Sequence, residues 1–320
     1  MTPNQISYLV FGIVILVALV FDMGLFSKKN QAITLKTALW QSIFWIVLGL
    51  GFCLFLWYEE GKTASLEYLS AYLMEKSLSI DNIFVFVLIF SAFNIKEIYY
   101  GRALLFGVLM AIVFRIIFIT LGVELVNRFH WVLYVFGAFL VFTGIKMFTA
   151  SDEQEFDPHT HPVYKWMKKM LPLVPHDGNG KYIIRENGKR YYTILFVVVA
   201  MLSVIDLVFA VDSIPAVMGI STNKMVIYTS NIFAVLGLRS LFFLLRGAVN
   251  KFDYLQQGIS IVLVFIGVKM LVEKWISMVL SKNQQVVLSL LVIVICIVGS
   301  IWYSNYHKRK GIPAGTDEND

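Results

Sequence analysis

The sequence predicts an all-α polytopic membrane protein of about nine transmembrane helices, and three observations carry that reading. Of the 320 residues, 58% are hydrophobic and only 15% charged, with a mean hydropathy of +0.73. A soluble domain is nearer 45–50% apolar and about 25% charged. Apolar runs near the roughly 20 residues that cross a bilayer recur along the whole chain. Polar, acidic motifs sit inside two of those runs and match each other, which points to an internal repeat.

The runs fall at about 6–26, 38–58, 65–93, 103–125, 131–149, 192–220, 226–246, 255–276 and 285–304. The first lacks a preceding basic region and a following small-residue cleavage site, so it reads as a retained span. The segment between the fifth and sixth runs is the one sizeable soluble piece. It opens acidic with a pair of histidines (Asp152, Glu153, Glu155, Asp157, His159, His161) and reads as a solvated loop. It closes with short β-type runs around Asn187-Gly188, a strong hairpin signal. The tail after Pro313 reads as disordered. The expected organisation is therefore 1–64 as peripheral spans 1 and 2, 65–149 as a first three-span unit, and 150–191 as a cytoplasmic loop with a hairpin. A second three-span unit follows at 192–276, then span 9 and a cytoplasmic tail at 277–320.

Charge sets the expected orientation. With the N-terminus outside, 17 Lys and Arg fall on the inside and 5 outside, the positive-inside bias. This places the N-terminus out and the C-terminus in the cytoplasm. The net charge of +6 then reflects loop placement and implies no nucleic-acid partner; the expected partners are the lipid bilayer and a divalent metal ion. Cys53 and Cys296 form no C-x-x-C, so cysteine redox chemistry is not expected. The sequence leaves the oligomeric state open.

Span 6 contains Ile205 to Pro215, I-D-L-V-F-A-V-D-S-I-P, and span 3 contains Glu75 to Phe84, E-K-S-L-S-I-D-N-I-F. Glu75 matches Asp206, Asp81 matches Asp212, and Asn82 matches Ser213. The match extends to Arg115 with Arg239 and to Lys146 with Lys269. Spans 3–5 and 6–8 are then the two units, and three spans per unit turn the second copy upside down. That is the inverted repeat of many secondary transporters, with the site at the midplane. A carboxylate at that depth costs about 2.5–3.5 kcal/mol even on the lenient insertion scale, so its default reading is functional.

Helical spacing puts Glu75, Ser79 and Asn82 on one stripe with Asp81 beside it. It puts Ser203, Asp206 and Ser213 on another, with Asp212 beside it. Glu75, Asp81, Asn82, Asp206, Asp212 and Ser213 are the candidate metal ligands. They are hard oxygen donors, suited to Mg²⁺, Ca²⁺ or Mn²⁺ rather than to Zn²⁺ or Cu⁺. Pro215 frees the carbonyl of Val211, a further candidate ligand. Four carboxylates overcharge a site for one divalent ion, so either some carry protons or cations pair with them. Arg115 and Arg239 are the candidate charge partners. Lys146 and Lys269, near span ends, are expected to snorkel.

The motifs D-L-V-F-A-V-D-S-I-P-A and E-K-S-L-S-I-D-N-I-F-V-F, with R-E-N-G before span 6, resemble the TerC family, in particular its nine-span bacterial branch of the Alx type. The resemblance implies an inner-membrane protein related to the LysE transporter superfamily. It implies Mn²⁺ export, a link to tellurite resistance, and metal homeostasis including metal supply to secreted enzymes. It carries the acidic roles onto Glu75, Asp81, Asp206 and Asp212, with Asn82 and Ser213. Ser203 departs, standing where the family often has Glu. The expected function is thus an inner-membrane exporter of a divalent cation, coupled to proton counterflow, with no permanently bound cofactor. The alternative is a non-transporting assembly or metalation factor, which would tolerate loss of the buried acids. An aspartyl protease is disfavoured because Gly-x-Gly-Asp is absent; the second acid reads Ala210-Val211-Asp212, and no enzyme activity is expected.

Overall fold

The computed structural model describes residues 3–25, 33–129, 131–149, 160–186, 188–246 and 254–309. The side chains of Asp22 and Asp81 lie outside what is described, as do Asp152 to His159, Asn187 and the tail after Pro313. Helices dominate: α1 (Pro3–Leu25), α2 (Leu35–Glu59), α3 (Lys62–Ala92), α4 (Glu97–Arg128), α5 (Val132–Thr149), α6 (Pro162–Met170), α7 (Ile194–Ile220), α8 (Lys224–Leu236), α9 (Leu238–Leu245), α10 (Leu255–Leu271), α11 (Glu273–Val279) and α12 (Lys282–Arg309). Among the described residues, six helical stretches are long and apolar enough to cross a membrane: α2, α4, α5, α7, α8 with α9, and the Asn283–Ser304 part of α12. Ile6–Val20 of α1 and Gln257–Leu271 of α10 are shorter apolar helices. α3 is 31 residues long, but polar and charged side chains interrupt its apolar run.

Helix boundaries follow local chemistry. The Thr193 hydroxyl caps α7 by accepting from Phe196 N, and Asn223 Oδ1 caps α8 by accepting from Met225 N at 2.9 Å. α6 starts at Pro162, whose missing N–H costs nothing in a first turn, and His161 caps it. Pro215 leaves α7 a continuous helix; the interruption falls instead in the next span, at Gly237 between α8 and α9. Lys76 explains how that gap is tolerated, because its Nζ donates to Ala234 O at 3.0 Å and satisfies a carbonyl at the break. A Cβ on Gly237 would fall on Lys76 Nζ.

α3 and α7 lie at the centre. α3 packs on α2, α7, α8 and α12, while α7 packs on α3, α4 and α5. The largest helix pair is α5 with α10, where Gly137 meets Gly267 and Gly144 meets Ser260 backbone to backbone. Small residues allow such close approach between helices in a membrane. The outer faces carry exposed apolar side chains such as Leu54, Leu121, Phe142 and Ile295, as a lipid-facing surface requires.

Between α5 and α7 stands a small folded unit. β1 (Ile183–Glu186) and β2 (Lys189–Tyr192) pair antiparallel, with Glu186 opposite Lys189 across a two-residue turn that includes Gly188 at φ +78°. Gly180, at φ +81°, brings the preceding turn onto Tyr99 at the start of α4, where a Cβ would collide with the ring. Lys96 and Asp177 close the same contact with a 3.0 Å ion pair. The hydrogen bond from Lys96 holds the Asp177 carboxyl below the usual carboxylate range.

Candidate functional site: a buried ion-pair cluster between α3, α4, α7 and α8

Two carboxylates converge where α3 crosses α7. Glu75 is 1% exposed and Asp206 2%. The cation between them is Arg115 of α4, itself 1% exposed. Its Nε donates to Asp206 Oδ2 at 2.8 Å and its Nη2 to Asp206 Oδ1 at 3.3 Å, a two-pronged grip. Its Nη1 donates to Glu75 Oε2 at 2.9 Å and to Asn231 Oδ1 of α8 at 2.9 Å. Asn231 is held in turn by its own Nδ2, which donates to Ile227 O at 3.0 Å, so its carbonyl oxygen faces the guanidinium. Asn82 Nδ2 completes the set, 3.5 Å from Asp206 Oδ1.

One corner of this cluster is under-bonded. Glu75 Oε1 and Ser213 Oγ are fully buried and neither makes a hydrogen bond of normal geometry, although the hydroxyl lies close to the carboxyl. Buried polar atoms in native proteins are nearly always satisfied, so these two oxygens are exceptions, as are the side-chain polar atoms of Gln41 and Ser42 elsewhere in the bundle.

The sequence-derived candidates therefore divide. Glu75, Asn82, Asp206, Ser213 and Arg115 come together. Asp212 does not join them: it is half-buried and bonds Thr143 of α5. The backbone of Asp81 lies in α3, and its side chain is not described. Arg239 is buried on α9, but Glu75 and Asp206 share Arg115. Among the described residues no three His, Cys, Asp or Glu side chains stand together as a metal cluster. Lys269 does not snorkel; its Nζ turns inward to Gly219 O at 3.3 Å and Ser289 Oγ at 3.0 Å.

Sequence reasoning missed Asn231 and Lys76. Asn231 was legible as a lone amide in an apolar span, Y-T-S-N-I-F, but nothing in the sequence tied it to Arg115. It also missed a second polar contact of α3 with α7, where the Ser221 hydroxyl donates to the buried carboxylate of Glu67. Asn223 donates its backbone N–H to Ser221 Oγ and its Nδ2 to Glu60 Oε2, linking Glu67 to the end of α2. Ser221 also lines a cavity of about 340 Å³ with Thr222, Lys269, Glu273, Ser277 and Gln285.

Comparison with known proteins places this chain in a family. A model described as "Integral membrane protein TerC family" matches residues 60–311. The membrane protein STKORF319 of Myxococcus xanthus is 40% identical over 277 residues, covering 87% of this chain and 86% of the relative. A membrane protein of Rickettsia felis is 40% identical over 271 residues, 85% of this chain and 90% of the relative. A protein of Escherichia coli K12, named as a membrane-bound redox modulator, Alx, is 38% identical over 310 residues, 94% of this chain and 96% of its own length. No solved structure matches the chain.

Proposed function

This chain belongs to the integral membrane protein TerC family, and from that premise we propose that it moves a hard divalent cation, Mn²⁺ first among them, out of the cytoplasm across the inner membrane. One observation carries the reading: two buried carboxylates from matched motifs meet at the crossing of two central helices, beside an under-bonded oxygen pair. Glu75, Asp206, Asn82 and Ser213 offer only oxygen donors, the set that Mn²⁺ and Mg²⁺ take and soft metals decline. Among the described residues two carboxylates meet here, the charge that balances one divalent ion, while Asp212 stands apart and the side chain of Asp81 lies outside what is described.

A purely structural role for the cluster is the weaker reading on energetic grounds. A buried ion pair is often no more stable than well-packed apolar side chains, which can be better by about 1–4 kcal/mol. Locking helices together does not require charges at this depth. The redox wording of the Alx relative has no thiol pair here, since Cys53 and Cys296 are both free. Non-transporting assembly or metalation work remains the alternative.

Several features support the inverted nine-span arrangement. α3 packs on α8 as α7 packs on α4, and Gly137 meets Gly267 as Ser260 meets Gly144. Exchanging the two repeats maps each of these contacts onto its partner. On this reading the hairpin end faces the cytoplasm and the Glu67–Ser221 end faces outward. Proton counterflow through the carboxylates would supply the driving force. The test is ⁵⁴Mn²⁺ uptake into everted membrane vesicles with and without a pH gradient. Uptake is expected to depend on the gradient and to vanish in Asp206→Asn with Glu75→Gln. Wild-type uptake no faster than in vesicles lacking the protein overturns the reading.

A further inference from the structure

Arg115 does more than neutralise its neighbours, because it sits on the same oxygens a divalent cation needs. We propose that Arg115 is a tethered counter-cation that exchanges with the substrate ion on Glu75 and Asp206, an inference resting on the transport reading above. The guanidinium holds Asp206 with two N–H groups but Glu75 with one, leaving Glu75 Oε1 outside its grip and close to the Ser213 hydroxyl. An incoming ion therefore meets one anionic oxygen that Arg115 does not cover. Completing its shell demands Glu75 Oε2 and then Asp206, the atoms that Arg115 now holds.

Charge makes the two cations exclusive. Two carboxylates with Arg115 carry one net negative charge, and with a divalent ion alone they are neutral. With both on the same oxygens, the guanidinium and the ion would stand at contact distance in a low-dielectric interior, where their mutual repulsion is strong. Arg115 must then step off the carboxylates as the ion settles. Asn231 Oδ1, fixed by its bond to Ile227 O, already accepts from Nη1 and can keep the displaced guanidinium on the α8 side. The return of Arg115 expels the ion. Conduction requires binding weak enough to release, and a built-in competitor supplies that weakness. The exchange also selects charge. A monovalent ion gains no electrostatic advantage over a guanidinium that additionally makes three hydrogen bonds to the same carboxylates.

The experiment uses the full-length protein in detergent and in vesicles, as wild type, Arg115→Lys and Arg115→Gln, all prepared with Mn²⁺ present and then stripped by dialysis. Mn²⁺ binding is read by calorimetry and by the shift in melting temperature, with Na⁺ as control; flux is read as KM and maximal rate. Arg115→Gln is expected to bind Mn²⁺ at least tenfold tighter than wild type, with a lower KM and a lower maximal rate, because the ion is no longer expelled. Arg115→Lys keeps the charge but not the planar fork. Its affinity is expected to fall between the two. A transporting wild type whose Arg115→Lys and folded Arg115→Gln variants bind Mn²⁺ no tighter than it does makes Arg115 a structural clamp and overturns the proposal. A wild type that neither binds nor moves any divalent cation overturns the transport reading itself, and this proposal with it.

Discussion

Asn82 on α3 faces Asp206 on α7, its Nδ2 3.5 Å from Oδ1. Seven residues back along α3, Glu75 meets Ser213, seven residues forward on α7. Eight further back, Glu67 meets Ser221, eight further forward. Equal steps in opposite senses are the mark of an antiparallel pair in unbroken register over about four turns. In a Cys53- and Cys296-free background, Ala71→Cys with Val217→Cys lies midway between the last two contacts and is expected to cross-link with a short bifunctional reagent. Ala71→Cys with Val208→Cys, whose partner is on the exposed face, is not. Mobility on a denaturing gel after an engineered cut in the 160–190 region reads the outcome, and equal cross-linking of both pairs contradicts the register.

The charge count in the cluster predicts non-additive stability. Neutralising one acid leaves one carboxylate opposite one guanidinium, so Glu75→Gln or Asp206→Asn alone is expected to change stability by no more than about 1–2 kcal/mol. Neutralising both strands Arg115 without a counter-charge and is expected to cost about 3–5 kcal/mol. Adding Arg115→Met to that double variant is expected to recover most of the loss. Thermal unfolding in detergent completes the cycle, and simple additivity would show that Arg115 does not bridge the two acids.

Asp212 separates from the cluster and bonds Thr143, so its role can be tested without touching Arg115. Asp212→Asn keeps the volume and one oxygen acceptor. Its melting temperature is expected to match wild type, since no buried guanidinium loses its partner. If Asp212 lines the ion path, ⁵⁴Mn²⁺ efflux falls at least tenfold. Efflux at the wild-type rate confines the path to the Glu75–Asp206 crossing.

These cases show what the sequence made legible. Spacing alone found the two acidic motifs, put Glu75 and Asn82 on one face, and matched Arg115 to Arg239. It could not say which arginine reaches the carboxylates, because that depends on how α4 crosses α7. Nor could it find the interruption at Gly237. Proline is the stronger breaker on propensity, yet Pro215 sits in an intact helix while Lys76, 158 residues before Ala234, satisfies the carbonyl freed at the Gly237 break. A contact that distant leaves no trace in local pattern.

The small unit at the start of α4 and α7 is expected to be insensitive to pH across the physiological range. Asp177 is held below the usual carboxylate range, chiefly by its bond to Lys96, and Lys96 is raised by the same bond. A depressed carboxyl contributes above its unfolded value near 3.9 and loses the contribution only as pH falls through its lower folded value. A raised lysine contributes below about 10.4 and loses it only as pH rises beyond. Hydrogen exchange over residues 176–186 should therefore show constant protection, after correction for intrinsic rates, from pH 5 to 9. Asp177→Asn should lower protection equally throughout. A step in wild-type protection anywhere in that range would contradict the Lys96–Asp177 pair as the contact that holds the unit.

The α5–α10 contact offers a test independent of the acids. A Cβ on Gly267 would meet Gly137 O, Val141 N and the Val141 side chain at 2.6–2.9 Å. A Cβ on Gly144 would meet Ser260 O at 2.8 Å and Val264 N at 3.0 Å. The obstacles are largely backbone, so no rotamer change clears them and the helices must separate. Such overpacking costs about 1–3 kcal/mol. Gly267→Ala and Gly144→Ala are each expected to lower the melting temperature, and by similar amounts, since the proposed two-fold arrangement puts the two glycines in matching places. Gly299→Ala on α12 meets nothing within 4 Å, so it isolates the effect of a Cβ in a helix without a close neighbour. Its expected effect is neutral or stabilising, because alanine is the better helix former by about 1 kcal/mol. A Gly267→Ala variant that melts with Gly299→Ala would mean that α5 and α10 do not pack at backbone distance, and would remove one of the paired contacts on which the two-fold reading of the fold stands.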